Sequence, residues 1–284
     1  MDLFHALVLG IVQGLTEFLP ISSSAHLLIV PWLLGWNEPS LTSIQFDVSL
    51  HIGTLVAVLI YFAGDWRRII TGFVGSVIER KIGDNPDRKL AWLVILGSIP
   101  AAVVGVLGES KIDEIFHDPA NLRTAMLVIA TTMIALALLL FVAERVGKHS
   151  LDLRHIGLSA AITIGVAQAL ALIPGVSRSG STITAGLFMN LKRESAARFS
   201  FLLATPVILG AGVKKLYDVV QAGGIPADQQ LGFIIGFLAA AISGFLCIAF
   251  LLRYLQRNST LPFIIYRIAL GILLFVLVAV SYNM

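Results

Sequence analysis

Cysteine is almost missing from this chain. The single Cys247 lies in an apolar run, which excludes an intramolecular disulfide and a thiolate metal site. Charge is scarce as well: Asp, Glu, Lys and Arg make up 13% of the residues, far below the share of a soluble domain. The shortage is sharpest at the start, where residues 1–45 hold no Lys or Arg. The N-terminus thus lacks the basic opening of a cleavable signal peptide, and the spans themselves are expected to direct insertion. The net charge of +3 is small, and no nucleic-acid partner is expected.

Apolar residues fill the space that charge leaves. They form 57% of the sequence, and the mean hydropathy is +0.90. Six runs reach the roughly 20 residues that cross a hydrocarbon core of about 30 Å: 46–63, 91–108, 122–143, 199–216, 231–252 and 262–282. Membrane lipids are therefore the first expected partners. Two further apolar regions, 3–36 and 156–190, are too long for one span and too short for two with a loop. Each is broken at its middle by Pro and Ser, as in a helical hairpin that enters the bilayer, turns and leaves on the same side. Such a turn is tolerable only if it is buried in protein or lines a wet cavity.

Charge placement agrees with this reading. If loop 64–90, with Arg67, Arg68, Arg80, Lys81, Arg88 and Lys89, is cytoplasmic, the inner loops hold fourteen Lys/Arg and the outer ones four. Treating either hairpin alone as a full span spoils this bias. Arg267, one turn from the inner face, is expected to snorkel to the interface. The run Glu109 to Asp118 reads as a solvated outer loop, and Asp47 and His51 as residues of the outer mouth.

The two halves also resemble each other. Gly10-Ile-Val-Gln13 matches Gly165-Val-Ala-Gln168, each followed by a proline and a serine cluster. Ser49 and Thr54 are spaced like Ser200 and Thr205. Gly97 to Gly105 matches Gly236 to Gly244, with small residues suited to close helix packing. Each half holds a hairpin plus three spans, and an odd number of spans inverts the second copy. The expected fold is an all-α integral membrane protein of two inverted repeats, residues 1–145 and 152–284, with its site where broken helices meet.

The chemistry sits in the hairpins. Gln13 and Glu17, four apart, share one helix face and can approach one cation or phosphate oxygen together. Pro20 ends that helix. Ser22, Ser23 and Ser24 stand where they can cap the returning helix, with His26 in its first turn. The second hairpin carries Pro174-Gly-Val-Ser-Arg-Ser-Gly-Ser-Thr182. This run sets Arg178 among Ser177, Ser179, Ser181 and Thr182 at membrane depth, where an unpaired guanidinium costs at least ~2.5 kcal/mol. A helix N-terminus with hydroxyls and a guanidinium is a phosphate site. Carboxylate, imidazole, hydroxyls and arginine together suit metal-assisted phosphoryl transfer. A bare ion pair between Glu17 and Arg178 is the structural alternative. A transporter or flippase for a phosphorylated lipid or anion is the functional one, although it has little use for Glu17 and His26.

These two motifs resemble those of the undecaprenyl-diphosphatase family, also called the bacitracin-resistance protein family, and the resemblance covers essentially the whole chain. It implies hydrolysis of undecaprenyl diphosphate to the monophosphate, dependent on Mg²⁺ or Ca²⁺, to recycle the carrier for peptidoglycan and other envelope polymers. It further implies a bacterial cytoplasmic (inner) membrane location with the site open to the outer face, competition with bacitracin for the lipid, and a possible homodimer. By the same resemblance Glu17 is the metal-associated carboxylate, joined by Gln13 where many members carry a second glutamate. Ser23 matches the proposed nucleophile, His26 the essential histidine and Arg178 the diphosphate-binding arginine. Two positions depart from the family pattern: Ala25 replaces a more usual glycine, and His51 a frequent glutamine.

Overall fold

The computed structural model describes residues 1–41, 43–117, 122–221 and 223–280, with the side chains of 109–117 and 122 excepted. Among these the chain is all helical, with no strand beyond one isolated bridge between Leu151 and Leu191. Its eleven α-helices are α1 Leu3–Phe18, α2 Ser23–Leu34, α3 Ile44–Tyr61, α4 Ala63–Ile78, α5 Pro86–His117, α6 Leu122–Val146, α7 Leu158–Leu170, α8 Arg178–Phe188, α9 Arg193–Gln221, α10 Gln230–Leu255 and α11 Leu261–Val280. Six of them, α3, α5, α6, α9, α10 and α11, are long and apolar enough to cross a membrane. They coincide with the six expected spans, and the chain is a multi-pass membrane protein. The last residues of the expected 262–282 run lie outside the described residues.

The two irregular apolar regions are helix–turn–helix pairs, α1–α2 and α7–α8. At 1.5 Å per residue, α1 with 16 residues and α7 with 13 are shorter than the ~30 Å a span requires. Local chemistry fixes the breaks. Leu19 precedes Pro20 and takes the extended conformation that proline imposes on its neighbour, which stops α1. At both turns a serine with positive φ then caps the returning helix. Ser22 (φ 77°) accepts from the Ala25 N–H, and Ser177 (φ 71°) from the Gly180 N–H.

Glycine lets the hairpins pack closely on the spans of the opposite half. A Cβ at Gly10 on α1 would run into the Gly236 carbonyl of α10, and one at Gly165 on α7 into the Gly97 carbonyl of α5. The matched glycines of the sequence thus meet in matched pairs. Gly244 likewise receives Gly14, whereas Gly105 faces open space. Below these contacts Phe18, Phe62 and Phe201 join the halves, Phe18 meeting Phe201 edge to face at 5.2 Å between ring centres.

Three expectations are corrected. Loop 64–90 contains a whole helix, α4, which begins directly after α3 at Phe62. Its apolar stripe of Ile70, Val74, Val77 and Ile78 is exposed, and dense neighbouring charge hid that period. The run from Glu109 is backbone helix to His117 rather than loop, because α5 continues past its apolar stretch. The side chains of Glu109 to His117, Lys111 included, and all of Asp118 lie outside the described residues. Arg267 does not snorkel. It is fully buried between the two hairpin turns.

Candidate active site

The two turns face each other across a cavity of about 350 Å³. Glu17, Ser22, Ser23 and Ser24 line it from the first hairpin, and Gln168, Ser177 and Arg178 from the second. Glu17, only 6% exposed, is the hub. One carboxylate oxygen accepts from Ser23 Oγ at 2.6 Å and from Gln13 Nε2 at 3.2 Å, and the other accepts from the Arg178 guanidinium. The i, i+4 spacing on α1 makes the first pairing with Gln13 possible. The ion pair joins residues 161 positions apart in sequence. Arg178 is the first residue of α8, so its charge stands beside the free amides of a helix N-terminus.

The remaining hydroxyls divide into two groups. Ser22 Oγ lies 3.3 Å from Ser24 Oγ, and in the other half Ser177 Oγ lies 3.2 Å from Ser179 Oγ. Ser179 also donates to the Leu19 carbonyl at 2.9 Å, tying α8 to the first turn. Ser181 and Thr182 donate back to the Arg178 carbonyl, and Thr182 meets Ser200 at 2.6 Å. These last two hydroxyls turn onto protein and do not line the cavity.

His26 also stands away from the cavity lining. Its Nδ1 donates to the Ser22 carbonyl at 2.6 Å, since a carbonyl can only accept, and its Nε2 lies 2.6 Å from the Tyr266 hydroxyl. The two rings stack with centres 5.6 Å apart. The imidazole that does line the cavity is His51, whose Nδ1 donates to the Asp47 carbonyl and whose Nε2 sits 3.9 Å from Glu17. Asp47 and Lys215 complete the polar rim.

The arginine next to Tyr266 holds the site together. Arg267 donates to the carbonyls of Pro20 (3.2 Å) in the first turn, Gly175 (2.9 Å) and Val176 (3.2 Å) in the second, and Met133 (3.1 Å) on α6. Each turn would otherwise bury carbonyls without donors. Sequence reading missed this clamp, although an arginine inside an apolar span is itself a signal of function. It also passed over Gln168 as a site residue, although the match of Gln168 with Gln13 was visible.

Of the two residues expected to hold a divalent cation, Glu17 lines the cavity and Gln13 stands behind it, outside the lining. Among the described residues no three His, Cys, Asp or Glu side chains cluster, so an all-protein cage is lacking. Gln13, however, is fully buried with its Oε1 unpaired, beside the Glu17 carboxylate. One carboxylate, an amide oxygen and substrate phosphate oxygens are the ligands that Mg²⁺ typically takes.

Comparison with known proteins bears on this geometry. Residues 6–273 match the family described as bacitracin resistance protein BacA. A protein of Thermomicrobium roseum named undecaprenyl-diphosphatase is 50% identical over 98% of this chain and 99% of its own length. Proteins of the same name from Geobacter sulfurreducens and Teredinibacter turnerae are 47% and 46% identical, over 95% and 98% of this chain and 96% and 100% of their own lengths.

Proposed function

This chain belongs to the bacitracin resistance protein BacA family, and from that premise we infer that it is an undecaprenyl-diphosphate phosphatase. It hydrolyses undecaprenyl diphosphate to undecaprenyl phosphate and inorganic phosphate, a hydrolase activity in the membrane that serves cell-wall synthesis and underlies bacitracin resistance. The observation that carries this reading is the meeting of Glu17, Ser23 and Arg178, from two separate hairpins, in one cavity.

The proposed mechanism follows from those contacts. The incoming diphosphate competes with Glu17 for the Arg178 guanidinium and takes the free amides of α8. Released from that pair, Glu17 accepts the Ser23 proton, to which it is already hydrogen-bonded. Ser23 Oγ attacks the terminal phosphorus, and the bridging P–O bond breaks to release the lipid monophosphate. Water then cleaves the phosphoserine, liberating inorganic phosphate. Glu17 and Gln13 would hold Mg²⁺ or Ca²⁺, which when bound neutralises charge on the phosphate oxygens. His26, braced by Tyr266, orients Ser22 and the start of α2, and Ser24 and Ser177 offer further hydroxyls to the diphosphate. Ser179, Ser181 and Thr182 hold the α8 N-terminus in shape.

The matched serine caps and glycine contacts support two inverted repeats, 1–145 and 152–284, with both hairpins re-entrant. The asymmetry of Lys and Arg supports a cytoplasmic-membrane orientation in which the cavity opens outward, where bacitracin would compete for the same lipid. The test is phosphate release from a C55 polyprenyl diphosphate by the purified protein in detergent with Mg²⁺. Turnover is expected, EDTA should abolish it, and an inert protein under these conditions would overturn the assignment.

A further inference from the structure

Gln168 occupies in the second hairpin the place that Gln13 holds in the first. Gln13 uses its amide to hold Glu17, four residues on. Four residues after Gln168 stands Leu172, which offers no such partner. The consequence is visible in the structure: Gln168 is 2% exposed, and neither its Oε1 nor its Nε2 has a hydrogen-bond partner. Fully unpaired amides are rare in protein interiors because each buried end forfeits its bonds to water. Gln168 nevertheless lines the same cavity as Glu17, Ser177 and Arg178.

Building on the phosphatase reading, we propose that Gln168 is a substrate-binding residue whose amide completes its hydrogen bonds on the lipid diphosphate. Nε2 donates to a phosphoryl oxygen, and Oε1 accepts from water ordered around the headgroup. The second hairpin thus contributes an amide and a guanidinium to the anion, while the first contributes the carboxylate and the serine. The two repeats have diverged at the position four residues after the glutamine, and that divergence frees the second amide for the ligand.

The test compares the full-length protein with Gln168→Met, which keeps the volume and removes both polar ends, and with Gln168→Ala. KM for a polyprenyl diphosphate and the Kd of a non-hydrolysable prenyl methylenediphosphonate are measured, together with the thermal midpoint. A hydrogen bond to a charged group accounts for roughly a ten- to a hundred-fold change in affinity. Gln168→Met should therefore raise both KM and Kd by at least about 10-fold, with its thermal midpoint unchanged or higher, because the substitution removes an unpaired amide. Unchanged KM and Kd in an active enzyme, or a lowered midpoint with unchanged Kd, would overturn the binding role and leave the phosphatase reading intact. A wild-type protein that releases no phosphate would remove both.

Discussion

The Arg178 guanidinium reaches from the second hairpin to the first, and its partner in the free protein is a carboxylate rather than solvent. A buried ion pair of this kind contributes little net stability, because desolvation offsets most of the attraction. Its value lies in exchange: an anion that draws the guanidinium away from Glu17 frees the carboxylate for Ser23. Replacing Arg178 by Ala should lower kcat/KM about 10²–10³-fold, the loss typical of removing a preorganised charge-stabilising donor. Arg178→Lys should recover only part of that loss, since a point charge cannot make the forked contact. Steady-state phosphate release measures both, and full turnover in Arg178→Ala would defeat the mechanism. The 2.6 Å contact of Ser23 with Glu17 leads to a second expectation. Acid quenching during turnover of substrate labelled in the terminal phosphate should trap label on Ser23, and Ser23→Ala should lose it. A quenched wild-type enzyme that carries no label would instead assign the attack to water.

Between residues and whole molecule stand the hairpins, whose first helices α1 and α7 are each too short to cross a membrane. Arg267 supplies the missing donors to both turns at once. Arg267→Met would leave at least three buried carbonyls unpaired, at roughly 1 kcal/mol or more each. A loss of about 3 kcal/mol or more should appear as a markedly lowered thermal midpoint, with phosphatase activity falling alongside it. The spans and the hairpin breaks were legible in the sequence, because apolar length and proline act locally and leave a readable pattern. So were Gln13 with Glu17, and Ser22 as a cap, whereas the matching cap at Ser177 was not read. The Arg267 clamp was not, since its acceptors are carbonyls contributed by Pro20, Met133 and Gly175, and backbone atoms carry no sequence signature. Nor was the burial of His26 against Tyr266, a contact across 240 residues. Helix α4 escaped for a different reason, its exposed apolar stripe from Ile70 to Ile78 being flanked by Arg67, Arg68 and Arg80 in a segment that read as loop.

For the molecule as a whole, the charge asymmetry and the packing of hairpins on opposite halves both bear on which side of the membrane the cavity meets. Hairpin α1–α2 packs on α10 and hairpin α7–α8 on α5, so neither half can close the site alone. The rim of that cavity includes Ile44 at the start of α3, while the basic segment after α4 includes the exposed Ile82. Since Cys247 is the sole cysteine and is buried, a single engineered thiol at either place can be read against a silent background. In intact cells a membrane-impermeant maleimide should label Ile44→Cys and spare Ile82→Cys, and permeabilisation should then expose the second. A polyprenyl diphosphate analogue should slow labelling at Ile44→Cys, because the headgroup fills the space that the reagent must cross. Labelling of Ile82→Cys from outside would invert the orientation and separate this cavity from a lipid diphosphate presented on the outer leaflet. Protection of Ile44→Cys by the analogue, at a site reached only from outside, would join sidedness and chemistry in one measurement.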